Sequence, residues 1–269
     1  MRRASDGAQA VKPGIKPLVV TPPRRQKRSD ALAARIRDLI SQQGLSPGDR
    51  IPQDWLADEA MRASKGTVRE AMKALETQGL IKTRTGPGGG AFVTALSGDQ
   101  AISLLSNLFL FNQPGIAEIY ALRKLLEPEL AASLAGRLDD EAVTRLQATM
   151  RLYESEPANA EEEFRQRIAE LDFHSVLASL AGNELLGFVC VFLQTLLRDL
   201  TECRAIYAEP NPSLRETGLT YQIRLIRLLK AGDADGARRL MRDHMDEAER
   251  YMLDRAQIRG RAETASGTG

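Results

Sequence analysis

The sequence predicts a mainly α-helical protein in two parts: three helices closed by a short β-hairpin, then a longer all-helical region. Three observations carry this. Apolar residues recur at spacings of three and four through most of the chain. A glycine run, Gly86-Pro87-Gly88-Gly89-Gly90, separates two short β-like pieces. Beyond Ala95 the strand signal almost disappears.

At 269 residues the chain has room for two modest domains. Its 43% hydrophobic and 27% charged content is that of an ordinary soluble globular protein, which sets aside a disordered or membrane-embedded chain. The two cysteines, Cys190 and Cys203, fall in apolar helical pattern and read as reduced core residues rather than a disulfide framework. No secretory h-region follows the basic N-terminus and no apolar run is long enough for a bilayer. A cytoplasmic location with no membrane partner is expected.

Net charge is +1, unevenly spread. Residues 1–94 hold 17 Lys and Arg against 9 Asp and Glu, a local +8; the remaining 20 and 27 leave −7 for residues 95–269. The asymmetry suggests a front half made for a polyanion and a back half with a different task. Part of the excess lies in residues 1–28, which carry Gly, Pro and basic side chains without apolar periodicity and are expected to form a flexible arm.

From Ser29 the pattern turns helical, with Leu32, Ile36, Leu39 and Ile40 on one face. Ser46-Pro47-Gly48-Asp49-Arg50 reads as a turn, followed by a short helix over roughly Gln53–Met61. A third helix begins after Ser64, whose hydroxyl can cap the first turn, and ends at Gly79, suited to a left-handed C-terminal position. Val68, Ala71, Met72 and Leu75 would face a core, while Lys65, Arg69 and Lys73 line another side with Thr67 near the start. A helix tip with short polar and cationic groups suits the major groove, where Arg and Lys reach guanine edges and free backbone amides attract phosphate. A solvated helix face would look the same if it stood alone. The β-like pieces Leu80–Arg84 and Ala91–Thr94 complete a winged helix-turn-helix, residues 29–95. The glycine run lacks the Lys-Ser/Thr of a P-loop and leads into no helix, so it is a poor nucleotide site.

Behind it, helical pattern covers about 98–112, 115–136, 139–154, 158–181, 183–205, 212–231 and 233–256, broken at Gly- and Pro-containing connections. Six or seven such helices with short links predict an antiparallel bundle over residues 98–256, followed by a flexible tail, 257–269.

Residues 29–94 resemble the DNA-binding domain of GntR-type bacterial regulators. The resemblance rests on PGDRIP (47–52), SKGTVREAMKALETQGLI (64–81) and GPGGGAFV (86–93), in the right order and spacing. It implies DNA contacts from Ser64, Lys65, Gly66, Thr67, Arg69 and Lys73 on the reading helix, and from Arg84 and Gly89 on the wing. Lys65 stands where Arg is commoner, and Gln53-Asp54 where an arginine often meets phosphate.

The back half resembles the FCD effector-binding domain that follows FadR-type GntR domains. EIYALRKLLEPELAASLAG (118–136), ELDFHSVLASLAGN (170–183) and LLKAGDADGARRLMRDH (228–244) carry the likeness. Such domains often hold a divalent metal such as zinc through an acidic residue and three histidines, with a small carboxylate effector on the metal. The resemblance places Glu170, His174 and His244 at metal-ligand positions and Gln222 where the third histidine is usual. It adds Arg123 as a fixed cation for a carboxylate, so the expected effector set is Arg123, Glu170, His174, Gln222 and His244. Glutamine is a poor ligand for borderline metals, and a site built with it can equally hold an effector by hydrogen bonds alone. A lone helical histidine is more often a packed residue; here the chain's only two both fall on these positions. Arg123 alternatively forms a surface i,i+4 pair with Glu127.

The function implied is a homodimeric repressor that binds a pseudo-palindromic DNA operator and responds to a small organic acid. Two other classes compete. A metal-dependent enzyme lacks HExxH and any nucleophile elbow in this sequence. An architectural DNA binder without effector would show uniform, salt-driven binding.

Overall fold

The computed structural model of the protein describes residues 27–57, 63–152, 154–209 and 211–266. The chain divides into two compact units, one ending at Leu104 and the other starting at Leu105.

In the first unit α1 (Arg28–Gln42) and α3 (Lys65–Thr77) pack together, with α2 (Asp54–Ala57) between them in sequence. The expected second helix, 53–61, is seen only over Asp54–Ala57; residues 58–62 lie outside the described residues. Leu32, Ile36, Ile51, Leu75, Ile81 and Val93 form the core. Val68 and Met72 pack against it half-buried, at the edge of the apolar stripe. Ser64 Oγ accepts the Thr67 N–H at 3.2 Å, so the expected cap is present. Gly79 sits at φ +71°, in the left-handed region that ends a helix cheaply only with glycine.

β1 (Ile81–Arg84) and β2 (Gly90–Val93) form the antiparallel hairpin, with Ile81 opposite Val93 and Arg84 opposite Gly90. The turn at 46–50 does more than reverse the chain. Gly48 N–H and Ile51 N–H donate to Val93 and Ala91 carbonyls, and Val93 N–H donates to Asp49, each at 2.8 Å, so this segment backs the hairpin along β2.

The second unit is helical: α5 (Ile116–Ser133), α6 (Asp140–Arg151), α7 (Ala160–Ser179), α8 (Glu184–Asp199), α9 (Thr201–Tyr207), α10 (Pro212–Ala231) and α11 (Ala234–Ser266). The boundary between units falls inside α4 (Gly98–Leu108). Asp139, Asn159 and Asn183 cap α6, α7 and α8 with side-chain oxygens, where those residue types predict a start. Two differences from the sequence reading stand out. The single helix expected over 183–205 is broken at Leu200, whose backbone is extended at ψ 122°, giving α8 and α9. The tail expected to be flexible from residue 257 is helical to Ser266. Arg255 and Arg259 anchor that extension on Glu209, at 3.6 and 2.7 Å.

Two apolar clusters fill this unit. One gathers Leu130, Leu146, Phe173, Leu177, Leu225 and Met241; the other Ile119, Tyr120, Leu193, Leu197, Ile206 and Met252. Cys190 lies in the first and Cys203 in the second, both free, their thiols pushed up to about 12 by burial. Along α5, Arg123 and Glu127 fall between Tyr120 and Leu130, and along α7 His174 follows Phe173. Charged side chains are thus held where the two clusters adjoin.

Candidate functional site

Two regions gather the residues that the sequence singled out. On the first unit, α3 turns Lys65, Arg69 and Lys73 to solvent. Thr67 is half-buried, its Oγ1 3.0 Å from Ser64 Oγ, so these two hydroxyls hold one another at the helix tip. A Cβ on Gly66 would meet only Ser64 Oγ, at 3.6 Å, so packing does not demand glycine there. Gly89 is different. A Cβ would lie 2.6 Å from the Arg84 carbonyl oxygen and 2.8 Å from that of Gly86, so the tight wing turn itself excludes a side chain. Arg50 donates to the Gly89 carbonyl at 2.5 Å and bonds the wing tip to the turn at 46–50. Arg84 lies with its guanidinium 4.8 Å from the Phe92 ring centre, its charge at the surface.

In the second unit a small chamber of about 40 Å³ is walled by Tyr120 and Arg123 of α5, Arg167, Glu170 and His174 of α7, and His244 of α11, among others. Arg167, Glu170 and His174 share a helix face because they are spaced three and four apart. An outer cleft of about 450 Å³ shares His244 and is also lined by Thr217, Thr220, Tyr221, Arg224, Asp243 and Glu247. His244 and Ala248 belong to both walls, so the two spaces adjoin there.

A chain of buried contacts supports the chamber. Arg123 Nε donates to Glu127 Oε1 at 2.5 Å, and Glu127 Oε2 lies 2.7 Å from His174 Nδ1. Arg123 and His174 are each 2% exposed and Glu127 is fully buried. Burial alone would raise the Glu127 carboxyl, but the Arg123 guanidinium and His174 hold it well below the usual carboxylate range. The surface pair considered for Arg123 and Glu127 is therefore an interior one. Arg167 is tied by Nη2 to the Asn211 carbonyl at 2.7 Å and to Glu163 at 3.4 Å, with Nη1 3.6 Å from Glu170. Burial pushes Glu170 up, against the lowering pull of Arg167 and His174. Burial also depresses His244 well below the ordinary histidine value, with the neighbouring His174 and Arg123 acting the same way. Its ring lies flat on Tyr221, centroids 3.7 Å apart, and 5.4 Å from the ring of His174.

Arg123, Glu170, His174 and His244 therefore meet around one chamber. Gln222 does not join them there: it is fully buried in α10 and forms no part of either cavity wall. The metal reading of Glu170, His174 and His244 gains no support from this arrangement. Among the described residues no three His, Cys, Asp or Glu side chains are grouped to hold a metal ion. Glu170 turns to Arg167, His244 is face-stacked on Tyr221, and a glutamine stands at the remaining position, so the donor set does not fit a divalent cation. Arg167, Tyr120 and Tyr207 were not anticipated, and Glu127 was considered only as a surface partner of Arg123. The Arg-x3-Glu spacing of 123–127 and the Arg-x2-Glu-x3-His run of 167–174 were the available signals, ambiguous until the helices are packed.

Residues 28–93 match the gntR family of bacterial regulatory proteins, and residues 118–247 match the FCD domain. Over 231 residues, 84% of this chain, the sequence is 27% identical to the HTH-type transcriptional repressor NanR of Enterobacter sp. strain 638, covering 85% of that protein. Identity to the repressor of the same name from Escherichia coli K12 is 26%, over 84% of each chain. Among solved structures, Streptococcus agalactiae GntR superposes with a TM-score of 0.56 at 20% identity, over 82% of this chain and 99% of that one. At that identity the likeness speaks for the fold alone.

Proposed function

From the premise that this chain belongs to the gntR family of bacterial regulatory proteins and carries an FCD domain, we propose that it is a transcription repressor whose grip on operator DNA is set by a small organic anion in the helical unit. The relatives carrying the name of repressor favour that sign of regulation. The reading helix is α3: Lys65, Arg69 and Lys73 meet base edges and phosphates, and Gly66 lets its backbone come close. Arg84 and the turn at Gly89 belong to the wing's contact with the backbone or minor groove. A homodimer on a two-fold operator is the expected assembly. The exposed Leu104, Leu108, Leu110 and Phe111, on α4 and just after it, are candidates for its surface.

One observation carries the effector half of this reading: Arg123 is a fully buried guanidinium in a chamber wall, with only Nε engaged by Glu127. The planar fork leaves its Nη donors for a carboxylate or similar anion. Glu170, His174 and His244 complete the polar lining, while Gln222 acts behind it. No metal enters this proposal. Effector binding would alter operator affinity through a coupling free energy typically of ~1–3 kcal/mol. The test is fluorescence anisotropy with the operator found by selection from random duplexes, titrated with a panel of organic acids. Release by one acid at concentrations that also raise the melting temperature supports the proposal. Equal affinity for every duplex would defeat the operator half; indifference to all the acids would defeat the effector half.

A further inference from the structure

The turn at 46–50 ends on a cation that belongs to the wing. Arg50 forms an antiparallel bridge with Phe92, flanked by the bonds from Ile51 N–H to Ala91 and from Val93 N–H to Asp49. A pair placed in this way exchanges no hydrogen bond of its own and brings its side chains closest. On the other edge of β2, Phe92 lies opposite Lys82 and Gly90 opposite Arg84. Side chains alternate along a strand, so Arg50, Lys82, Arg84 and Phe92 leave one face of what is in effect a three-stranded sheet. Ile51, Ile81, Ala91 and Val93 leave the other face and are buried in the core of the unit. The three cations are exposed and Phe92 is half-buried. No Asp or Glu stands at the outward positions 50, 82, 84, 90 and 92.

This face is tied to the glycine tip. Arg50 Nη2 donates to the Gly89 carbonyl at 2.5 Å, and the Arg84 guanidinium is held 4.8 Å from the Phe92 ring centre. A Cβ on Gly90 would lie 2.7 Å from Arg50 Nε, so the bare backbone there lets the guanidinium lie across the hairpin end. The bond to Gly89 uses one of the five N–H groups of Arg50, and the planar fork keeps the others aimed outward from a fixed base. A wing that reaches DNA brings Arg50 with it, because one hydrogen bond separates that guanidinium from the tip.

We propose that the outward face of this sheet, Arg50 with Lys82 and Arg84 around Phe92, is a docking surface for the sugar-phosphate backbone of duplex DNA. Arg50 has two tasks in it: it braces the wing tip through the Gly89 carbonyl and meets a phosphate with its remaining donors. Arg84 stands beside it at the hairpin end, and Lys82 carries the positive track back along β1. The inference rests on the operator reading of α3 and adds to it a grip that holds any duplex, since phosphate contacts position a protein without reading its sequence.

The test is fluorescence anisotropy of the full chain on the selected operator and on a random-sequence duplex, repeated across a range of salt concentrations. On B-DNA the plot of log affinity against log salt loses about 0.9 of slope for each phosphate contact removed. Arg50→Gln should flatten that plot by about 0.9 for each protomer bound and weaken both duplexes by the same factor. Lys82→Gln, a change at an exposed position, should do the same without touching the brace on Gly89. Arg50→Lys keeps the charge and should keep the slope. If Arg50 only braced the wing, both of its variants would weaken operator binding with the slope unchanged, and that result overturns the proposal. An unchanged slope in both Gln variants overturns it too, as does a loss confined to the operator, because the two duplexes carry the same phosphates. Arg69→Ala tells this failure from that of the operator reading: if it still costs operator affinity, α3 reads DNA and the sheet face alone is refuted. Wild-type protein that binds neither duplex refutes both.

Discussion

The cations of α3 and those of the chamber are the same chemical groups in opposite surroundings. Lys65, Arg69 and Lys73 stand in water along one side of a helix, and the core beneath them is made by Ala71 and Leu75. Arg123 and Arg167 are 2% and 5% exposed, and each is matched by carboxylates at 2.5–3.6 Å. Water and counterions solvate the first group until a polyanion displaces them. The second group has exchanged water for protein partners, so its geometry is fixed before any ligand arrives. A surface of the first kind gives up its charges at little cost to the fold; a site of the second kind cannot.

Two substitutions would break that contrast or make it quantitative. Glu127→Ala leaves Arg123 buried without its counter-ion, and stability measured by denaturant unfolding should fall by about 3–5 kcal/mol. A loss near zero would mean that water already reaches this pair. Arg69→Ala should leave the unfolding midpoint where it is and weaken operator binding roughly ten- to a hundredfold. Were Arg69→Ala to destabilise the fold, α3 would be using that side chain for packing and its assignment to DNA would be misplaced.

The same contrast explains what could be read from the sequence. The first unit was legible because its signals are local: Ser64 caps its own helix, Gly79 ends it, and a stripe of cations three or four residues apart needs no partner to be recognised. The helical class of the second unit was equally plain, since each helix from α5 to α8 begins near a capping residue or glycine. Its chamber was legible only in part. His174, His244, Glu170 and Arg123 line one chamber. Glu127 was weighed as the exposed partner of Arg123, because i,i+4 spacing is identical for a surface pair and an interior one. Burial comes from α7 and α11 packing on α5, a fact of tertiary structure. The metal reading turns on the same kind of fact. Spacing puts Glu170 one turn before His174, but not whether its carboxylate turns to a cation, and Arg167 claims it.

A gentler probe of the chamber is Gly218 of α10. A Cβ there would come within 3.1 Å of Glu170 Oε1, so Gly218→Ala must shift that carboxylate by a few tenths of an ångström. Alanine favours a helix interior over glycine by up to about 1 kcal/mol, and Glu170 has a flexible side chain that can yield. The melting temperature should hold or rise slightly while acid binding to the chamber weakens. Unchanged binding would remove Glu170 from the ligand's surroundings.

The smallest expected effect is a pH dependence, and it separates the two acid–base groups of the chamber by sign. His244 is depressed below its unfolded value of 6.5, first by burial and then by His174 and Arg123. As pH drops through 6.5 the unfolded chain takes up a proton that the folded chain refuses, so this group subtracts stability on the acid side and contributes nothing at higher pH. Glu170 is raised above its unfolded value of 4.5, chiefly by burial. The folded chain therefore binds that proton first, and stability from this group grows as pH falls through the raised value toward 4.5. Unfolding free energies followed from neutral pH toward pH 5 should decline less steeply in His244→Gln than in wild-type protein, and more steeply in Glu170→Gln. Parallel curves for all three proteins would show that neither group is cut off from water, and the chamber would then belong with the solvated face of α3 rather than with the buried pair beside it.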